Sequence, residues 1–137
     1  ARFHPGGSLG KRLFLKVSDL CTHDESPQVD LDADVKSVIV EISKKRLGAT
    51  AVMQGNVLKG VITDGDIRRM LESGKDIINL QAKDIMCENP KTIQADELAV
   101  VALKIMEDHN ITQLLVMDGA RYIGIVHLHD ILKEGII

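Results

Sequence analysis

The clearest element in the chain is a set of apolar residues at the helical spacing i, i+3, i+4 and i+7: Val35, Val38, Ile39 and Ile42. This spacing predicts an amphipathic helix that Asp32 or Asp34 caps and that Gly48 ends. A short strand at residues 28–31 precedes it. The basic residues 44–46 fall in its last turn, where positive charge complements the helix dipole. We therefore interpret them as a solvated helix end and not as a nucleic-acid contact.

Two apolar runs follow this helix, at residues 49–53 and 57–63. They predict buried strands joined by a turn at residues 54–56. A second helix is predicted over residues 64–72, and we expect it to bury three apolar side chains: Ile67, Met70 and Leu71. The predicted unit is strand, helix, strand, strand, helix.

The second half of the chain repeats this unit. The segment Gly-Val-Ile-Thr-Asp-Gly-Asp at residues 60–66 has a second copy at residues 124–130, an offset of 64 residues. The apolar set of the first helix is expected to reappear at an offset of 63, as Leu98, Val101, Ala102 and Ile105. Each half alone would bury a marginal core. We therefore predict an α+β fold in which two small sheets pack pseudo-symmetrically against each other, with the helices outside.

Composition excludes several classes of function. The net charge is −3, and the chain has no Trp, one Tyr and two Phe. It lacks the basic surface and the aromatic stacking platforms of a nucleic-acid binder. No apolar run approaches the roughly 18 residues that a membrane helix needs, and two cysteines do not make a disulfide scaffold. We expect a cytoplasmic protein that contacts neither nucleic acid nor membrane.

The repeated segment carries the candidate chemistry. In each copy a buried strand turns directly into a helix, with Thr63 and Asp66 at the first junction and His127 and Asp130 at the second. Backbone N–H groups at a helix start bind anions, and an acidic side chain beside them can accept hydrogen bonds from ribose hydroxyls. The pattern predicts a cradle for phosphate and ribose, made twice.

Other charged residues near these junctions allow more than one interpretation. Arg68 and Arg69 are either a charged outer face or an anion clamp, and the matching positions of the second copy are less cationic. His127 and His129 have a spacing that could serve a metal, but a third ligand is not evident. We predict no metal site.

The duplicated Gly-apolar-apolar-polar-x-x-Asp segment, spaced by 64 residues, resembles the signature of paired CBS (cystathionine-β-synthase) domains. The resemblance implies a regulatory module in which the polar residue contacts a nucleotide phosphate and the aspartate holds the ribose. Thr63 and Asp66 would form one half-site, and His127 and Asp130 the other. It also implies a homodimer of such pairs.

The head of the chain narrows the resemblance to the arabinose-5-phosphate isomerases, which join a sugar-isomerase domain to a CBS pair. Three stretches carry it: Phe3-His4-Pro5-Gly6-Gly7-Ser8-Leu9-Gly10-Lys11, Thr63-Asp64-Gly65-Asp66-Ile67-Arg68-Arg69 and His127-Leu128-His129-Asp130-Ile131-Leu132. These enzymes interconvert ribulose 5-phosphate and arabinose 5-phosphate on the way to the octulosonate sugar of lipopolysaccharide. The resemblance implies that His4 serves the isomerase site. Because the rest of that site is missing here, we expect this fragment alone to be inactive.

On this basis the chain divides into four parts: an isomerase-domain tail at 1–16, a first repeat at 17–73, a linker at 74–81 and a second repeat at 82–137. The expected partners are the isomerase domain and a second copy of the pair, within a tetrameric parent. No cofactor is expected.

Two functions remain open for the pair. The first is a nucleotide sensor, either for the pathway end product CMP-linked octulosonate (CMP-Kdo) or for an adenine nucleotide such as AMP or ATP. CMP-Kdo offers a ribose for Asp66, a phosphate for Thr63 and a carboxylate for arginine. The second is a purely structural dimerisation module, which is favoured by His127 standing where the resemblance implies Ser or Thr.

Overall fold

A computed structural model describes residues 13–21 and 26–135 of the chain. His4, predicted to serve an isomerase site, lies outside the described residues, so its role stays a prediction. Within the described ranges, no helix is long and apolar enough to cross a membrane.

The described residues of the first half form the following elements, in chain order. They are α1 (Val17–Leu20), β1 (Gln28–Asp30), α2 (Val35–Lys45), β2 (Ala49–Gln54), β3 (Val57–Thr63) and α3 (Asp64–Glu72). A 3₁₀ helix, Ile77–Asn79, then leads to the second half. Its elements are α4 (Ala82–Ile85), β4 (Thr92–Gln94), α5 (Ala99–His109), β5 (Gln113–Asp118), β6 (Arg121–His127) and α6 (Leu128–Lys133).

The two halves are related by an offset of 64 residues from β1 to the last helix. The predicted offset of 63 for the first helix is wrong, because α2 begins at Val35 and α5 at Ala99. The buried residues agree with 64: Val35, Val38 and Ile42 correspond to Ala99, Ala102 and Met106. Helix α5 carries apolar residues around most of its circumference, so its sequence alone fits either offset.

Helix α2 starts as predicted and ends earlier than predicted. The Asp34 side chain accepts a hydrogen bond from the backbone N–H of Ser37 at 2.8 Å, which satisfies one of the free donors at the helix start. The helix stops at Lys45, and Arg46 adopts the left-handed conformation that usually falls to glycine or asparagine. Ile39, predicted on the buried stripe, is 37% exposed.

Helix α3 buries less than its sequence suggested. Met70 is 6% exposed and Ile67 is half-buried, but Leu71 is 57% exposed. The prediction that Leu71 faces the core is therefore wrong.

Each half forms a three-stranded mixed sheet, as the predicted fold class requires. In the first, β2 lies between β1, to which it is parallel, and β3, to which it is antiparallel. The second sheet has the same order, β4-β5-β6. Both hairpins shift register at matching places, after Val52 and after Val116. The repeated bulge shows that the two halves share backbone detail as well as topology.

The two sheets pack against each other, which confirms the predicted arrangement. Their facing side chains form one buried cluster drawn from both halves: Ala49, Ala51, Met53, Leu115, Met117, Tyr122 and Ile125. The remaining core lies between each sheet and its helices.

Each of the two short helices, α1 and α4, packs into the core of the other half. Val17 of α1 is fully buried in the core of the second half, and the Val17 N–H donates to the Glu97 carbonyl. Ala82 of α4 is fully buried in the core of the first half, and its N–H donates to the Ala33 carbonyl. Each core therefore requires a piece of the other half of the chain.

Candidate ligand-binding site

The first strand-to-helix junction is fixed by reciprocal hydrogen bonds between Thr63 and Asp66. The Thr63 hydroxyl accepts from the Asp66 N–H at 3.2 Å, and the Thr63 N–H donates to Asp66 Oδ2 at 2.9 Å. The Thr-x-x-Asp spacing makes this capping box possible, because it places the fourth residue over the free end of the helix. The Asp66 carboxylate is thereby held at the start of α3.

The same hydrogen bonds limit what Thr63 and Asp66 can still offer a ligand. The Thr63 hydroxyl donates to Asp66 Oδ2 at 3.2 Å, so its only hydrogen is already used. Asp66 Oδ1 accepts from Arg69 Nη2 at 2.6 Å. Since a carboxylate oxygen has two acceptor positions, Oδ1 keeps one for a ligand hydroxyl.

The second junction replaces the threonine with an imidazole. The His127 N–H donates to Asp130 Oδ2 at 3.0 Å, as in the first copy. His127 Nδ1 accepts from the His129 N–H at 3.0 Å. With Nδ1 as the acceptor, the hydrogen of the neutral ring lies on Nε2. His127 can therefore give a ligand one N–H donor, which Thr63 cannot match while its capping box is intact.

Both junctions open on one cavity of about 570 Å³, which we call the axial cavity because matching residues of the two halves line it. Thr63 and His127, one from each predicted half-site, both line it. The ends of α2 and α5 complete the wall. The described lining residues are Arg46, Leu47, Gly48, Thr63, Asp64, Gly65, Arg69, Asn110, Ile111, Thr112, Gln113 and His127.

Gly48 allows this wall to close. A Cβ built on Gly48 would lie 2.7 Å from the Gln113 amide nitrogen and 3.4 Å from Asp64 Oδ2, and its φ of +73° also favours glycine. The Gln113 amide donates to the Leu47 carbonyl at 3.2 Å, which joins the two halves at this point.

Asp66 opens on a second, smaller cavity of about 220 Å³ between α3 and α4. Its described lining residues are Asp66, Arg69, Met70, Ser73, Lys75, Leu80, Asp84 and Ile85. Arg69 lines both this α3–α4 cleft and the axial cavity. A ligand that uses the Asp66 carboxylate and the axial cavity together would have to pass Arg69.

The other two predicted site residues, Arg68 and Asp130, are not among the described lining residues of the axial cavity. Arg68 is exposed on α3. Asp130 is half-buried near Cys21. Burial, with a smaller contribution from the Asp130 charge, raises the pKa of the Cys21 thiol to about 11. That thiol is protonated at neutral pH and belongs to the core.

Sequence reading missed Arg46 and Asn110, which lie 64 residues apart on the axial cavity. Both have positive φ, 61° and 55°. The sequence interpretation places Arg46 at a solvated helix end, because a basic residue in the last turn complements the helix dipole. The asparagine at the matching position was the available signal, because asparagine is common in the left-handed conformation that ends a helix.

Comparison with known proteins agrees with the duplicated fold. The family model of the CBS domain matches residues 17–73 and 82–136. The chain belongs to the CBS domain family. The predicted resemblance is confirmed, and the two halves are CBS repeats.

The curated relatives of this CBS pair include arabinose 5-phosphate isomerases. The enzyme KdsD of Yersinia pestis is 41% identical over 136 residues, and that of Escherichia coli K12 is 38% identical over 136 residues. The KdsD of Pseudomonas aeruginosa is 42% identical over 137 residues. Each match covers 98% of this chain and 42% of the relative. The chain therefore spans about two fifths of the length of these relatives.

Solved structures show the same fold at lower identity. A CBS domain protein from Pyrobaculum aerophilum, solved in complex with AMP, has a TM-score of 0.75 and 22% identity over 85% of this chain and 89% of its own. A CBS domain protein from Thermotoga maritima has a TM-score of 0.72 and 24% identity over 87% and 92%.

Proposed function

We propose that this CBS pair is the regulatory module of an arabinose-5-phosphate isomerase and that it senses a nucleotide, in the first place CMP-Kdo. The observation that carries the proposal is the convergence of both strand-to-helix junctions on one cavity, with Thr63 and His127 on its wall. The KdsD relatives supply the enzyme and hence the pathway. Feedback on a committed pathway by its activated end product suggests the ligand.

The groups on the site suit the parts of CMP-Kdo. A ribose hydroxyl can donate to the free acceptor position of Asp66 Oδ1. A phosphate can accept from the backbone N–H groups at the start of α3 and from the His127 ring. The ligand carboxylate suits a guanidinium, which binds carboxylates in a bidentate geometry. ATP lacks the carboxylate, so we expect it to bind more weakly despite its higher charge.

The test is a panel of CMP-Kdo, CMP, AMP and ATP, measured by thermal shift and calorimetry. A ligand at about 100 times its dissociation constant adds roughly 2.7 kcal/mol to the free energy of unfolding. We expect CMP-Kdo to stabilise the protein most. Tight binding of ATP without any binding of CMP-Kdo would make the module an adenylate sensor, a second candidate that the AMP complex of the Pyrobaculum protein favours.

Exposed apolar side chains on the outer helices favour a third candidate, a dimerisation module that binds no nucleotide. Val40 on α2 is 53% exposed, Leu71 on α3 57% and Leu132 on α6 41%. If none of the four nucleotides shifts the melting temperature and the protein is a stable dimer by light scattering, this candidate replaces the sensor.

A further inference from the structure

Arg46 occupies a backbone position that suits other residues better. Its φ of 61° lies in the left-handed region, which arginine adopts reluctantly and which glycine or asparagine adopts easily. The matching position of the second repeat carries Asn110 at φ 55°. The first repeat therefore has an arginine on the cavity wall where the second repeat has the residue that the backbone favours.

Among the residues that the structure describes, nothing compensates the positive charge of Arg46. Arg69, the other arginine on the axial cavity, forms an ion pair with Asp66 at 2.6 Å. Across the described ranges, Arg46 has no ion-pair partner within 4.0 Å. Asp64 is the one carboxylate among the described lining residues, and His127 is the other titratable side chain beside the arginines. Arg46 is thus the cation that remains available to a ligand.

We propose that Arg46 binds a phosphate group in the axial cavity while Arg69 remains with Asp66. Asn110 and His127 lie on the same wall and supply hydrogen-bond donors from the second repeat. The inference deepens the proposed function, because it places the anionic part of the nucleotide. The anion site itself needs no nucleotide, so inorganic pyrophosphate can probe it alone.

The experiment titrates ¹⁵N-labelled protein with inorganic pyrophosphate and follows backbone amide shifts. In the wild type we expect the largest shifts at residues 47–48, 64–65 and 111–113, which line the axial cavity. Arg46→Asn should weaken binding about fivefold, the upper end for an exposed ion pair. Its melting temperature should equal or exceed that of the wild type, because asparagine suits the left-handed backbone.

Two further variants separate the cavity charge from other effects. Lys44→Asn removes an exposed charge from the same helix end without touching the cavity, and it should leave pyrophosphate affinity unchanged. The double variant Arg46→Asn/Asn110→Arg moves the charge to the matching wall position and should restore affinity. No cavity shifts in the wild type, no weakening in Arg46→Asn, or equal weakening in Lys44→Asn would each overturn the inference.

The two proposals fail in different ways. If pyrophosphate binds through Arg46 but no nucleotide of the panel binds, the anion site stands and the nucleotide sensor falls. If CMP-Kdo binds and Arg46→Asn leaves its affinity unchanged, the sensor stands and the role of Arg46 falls.

Discussion

Replacing Asp66 with alanine tests the proposed site most directly, since its carboxylate serves both the fold and the ligand. The change removes the acceptor of the Thr63 N–H and the partner of Arg69. Loss of the hydrogen bond from the Thr63 N–H, the Asp66 half of the capping box, costs about 1 kcal/mol. The ion pair adds at most about 1 kcal/mol, because the Arg69 side chain is 69% exposed and water screens it. Together these predict a loss of about 1–2 kcal/mol, or roughly 4–8 °C in melting temperature.

Asp66→Ala should weaken ligand binding by more than it lowers the stability of the fold, and the two effects can be measured separately. A hydrogen bond to a charged group contributes about 1.5–3 kcal/mol, so the affinity for CMP-Kdo should fall roughly ten- to hundredfold. Asp66→Asn keeps one side-chain oxygen and should lose less. Calorimetry measures the affinity, and thermal melting measures the stability of the same samples.

Asp130→Ala is the matched control, because Asp130 accepts from the His127 N–H at 3.0 Å in the same way. In the described residues it has no arginine partner like Arg69. We expect a similar loss of stability from the missing capping hydrogen bond, and a smaller loss of ligand affinity. Equal losses of affinity in both variants, or unchanged affinity in Asp66→Ala despite a lower melting temperature, would refute the reasoning.

Other predictions concern packing, thiol chemistry and assembly. Gly60→Ala should lower the free energy of unfolding by about 1–3 kcal/mol through overpacking, because the added Cβ would lie 2.6 Å from the Cys87 carbonyl oxygen. Lys59 is exposed, so Lys59→Ala should have little effect in the same denaturation assay. Iodoacetamide at pH 8 should alkylate exposed Cys87 and spare Cys21, which is buried with its pKa raised to about 11; mass spectrometry that finds Cys21 modified in the folded protein contradicts this. The pure 137-residue chain should not turn over arabinose 5-phosphate, and a coupled assay that detects turnover would show otherwise. It should be at least a dimer, and a monomer by light scattering at high micromolar concentration argues against that.

The strands and the two junctions were predictable because their determinants are local. The β-branched run of β3 and the turn at residues 54–56 predict a hairpin without knowledge of the rest. The Thr-x-x-Asp spacing predicts the capping box of Thr63 and Asp66 in the same way. Periodicity predicts the buried face less precisely where a helix is apolar on several faces. For this reason the predicted apolar positions of α5 are one residue away from the observed ones.

The shape of the site was not predictable from local patterns. The axial cavity joins residues 64 apart in the chain, and their approach depends on how the two sheets pack. The ion pair between Arg69 and Asp66 was also missed, since the same spacing is compatible with both side chains reaching a ligand. Nothing in the run of basic residues 44–46 identifies Arg46 as the left-handed one, because the signal, Asn110, lies 64 residues further along the chain.

Because α1 and α4 each pack into the core of the other half, the axial cavity depends on contacts between the two repeats. Because each repeat completes its core with a helix from the other half, the cavity walls form only when the whole pair is folded. Helix α5 runs between two points of contact. At one end the Ala99 N–H donates to the Leu15 carbonyl at 2.8 Å, and at the other end Asn110 lines the axial cavity. Its 11 residues form a rod of about 16 Å. Helix α5 therefore connects the cavity wall at Asn110 with the segment around Leu15.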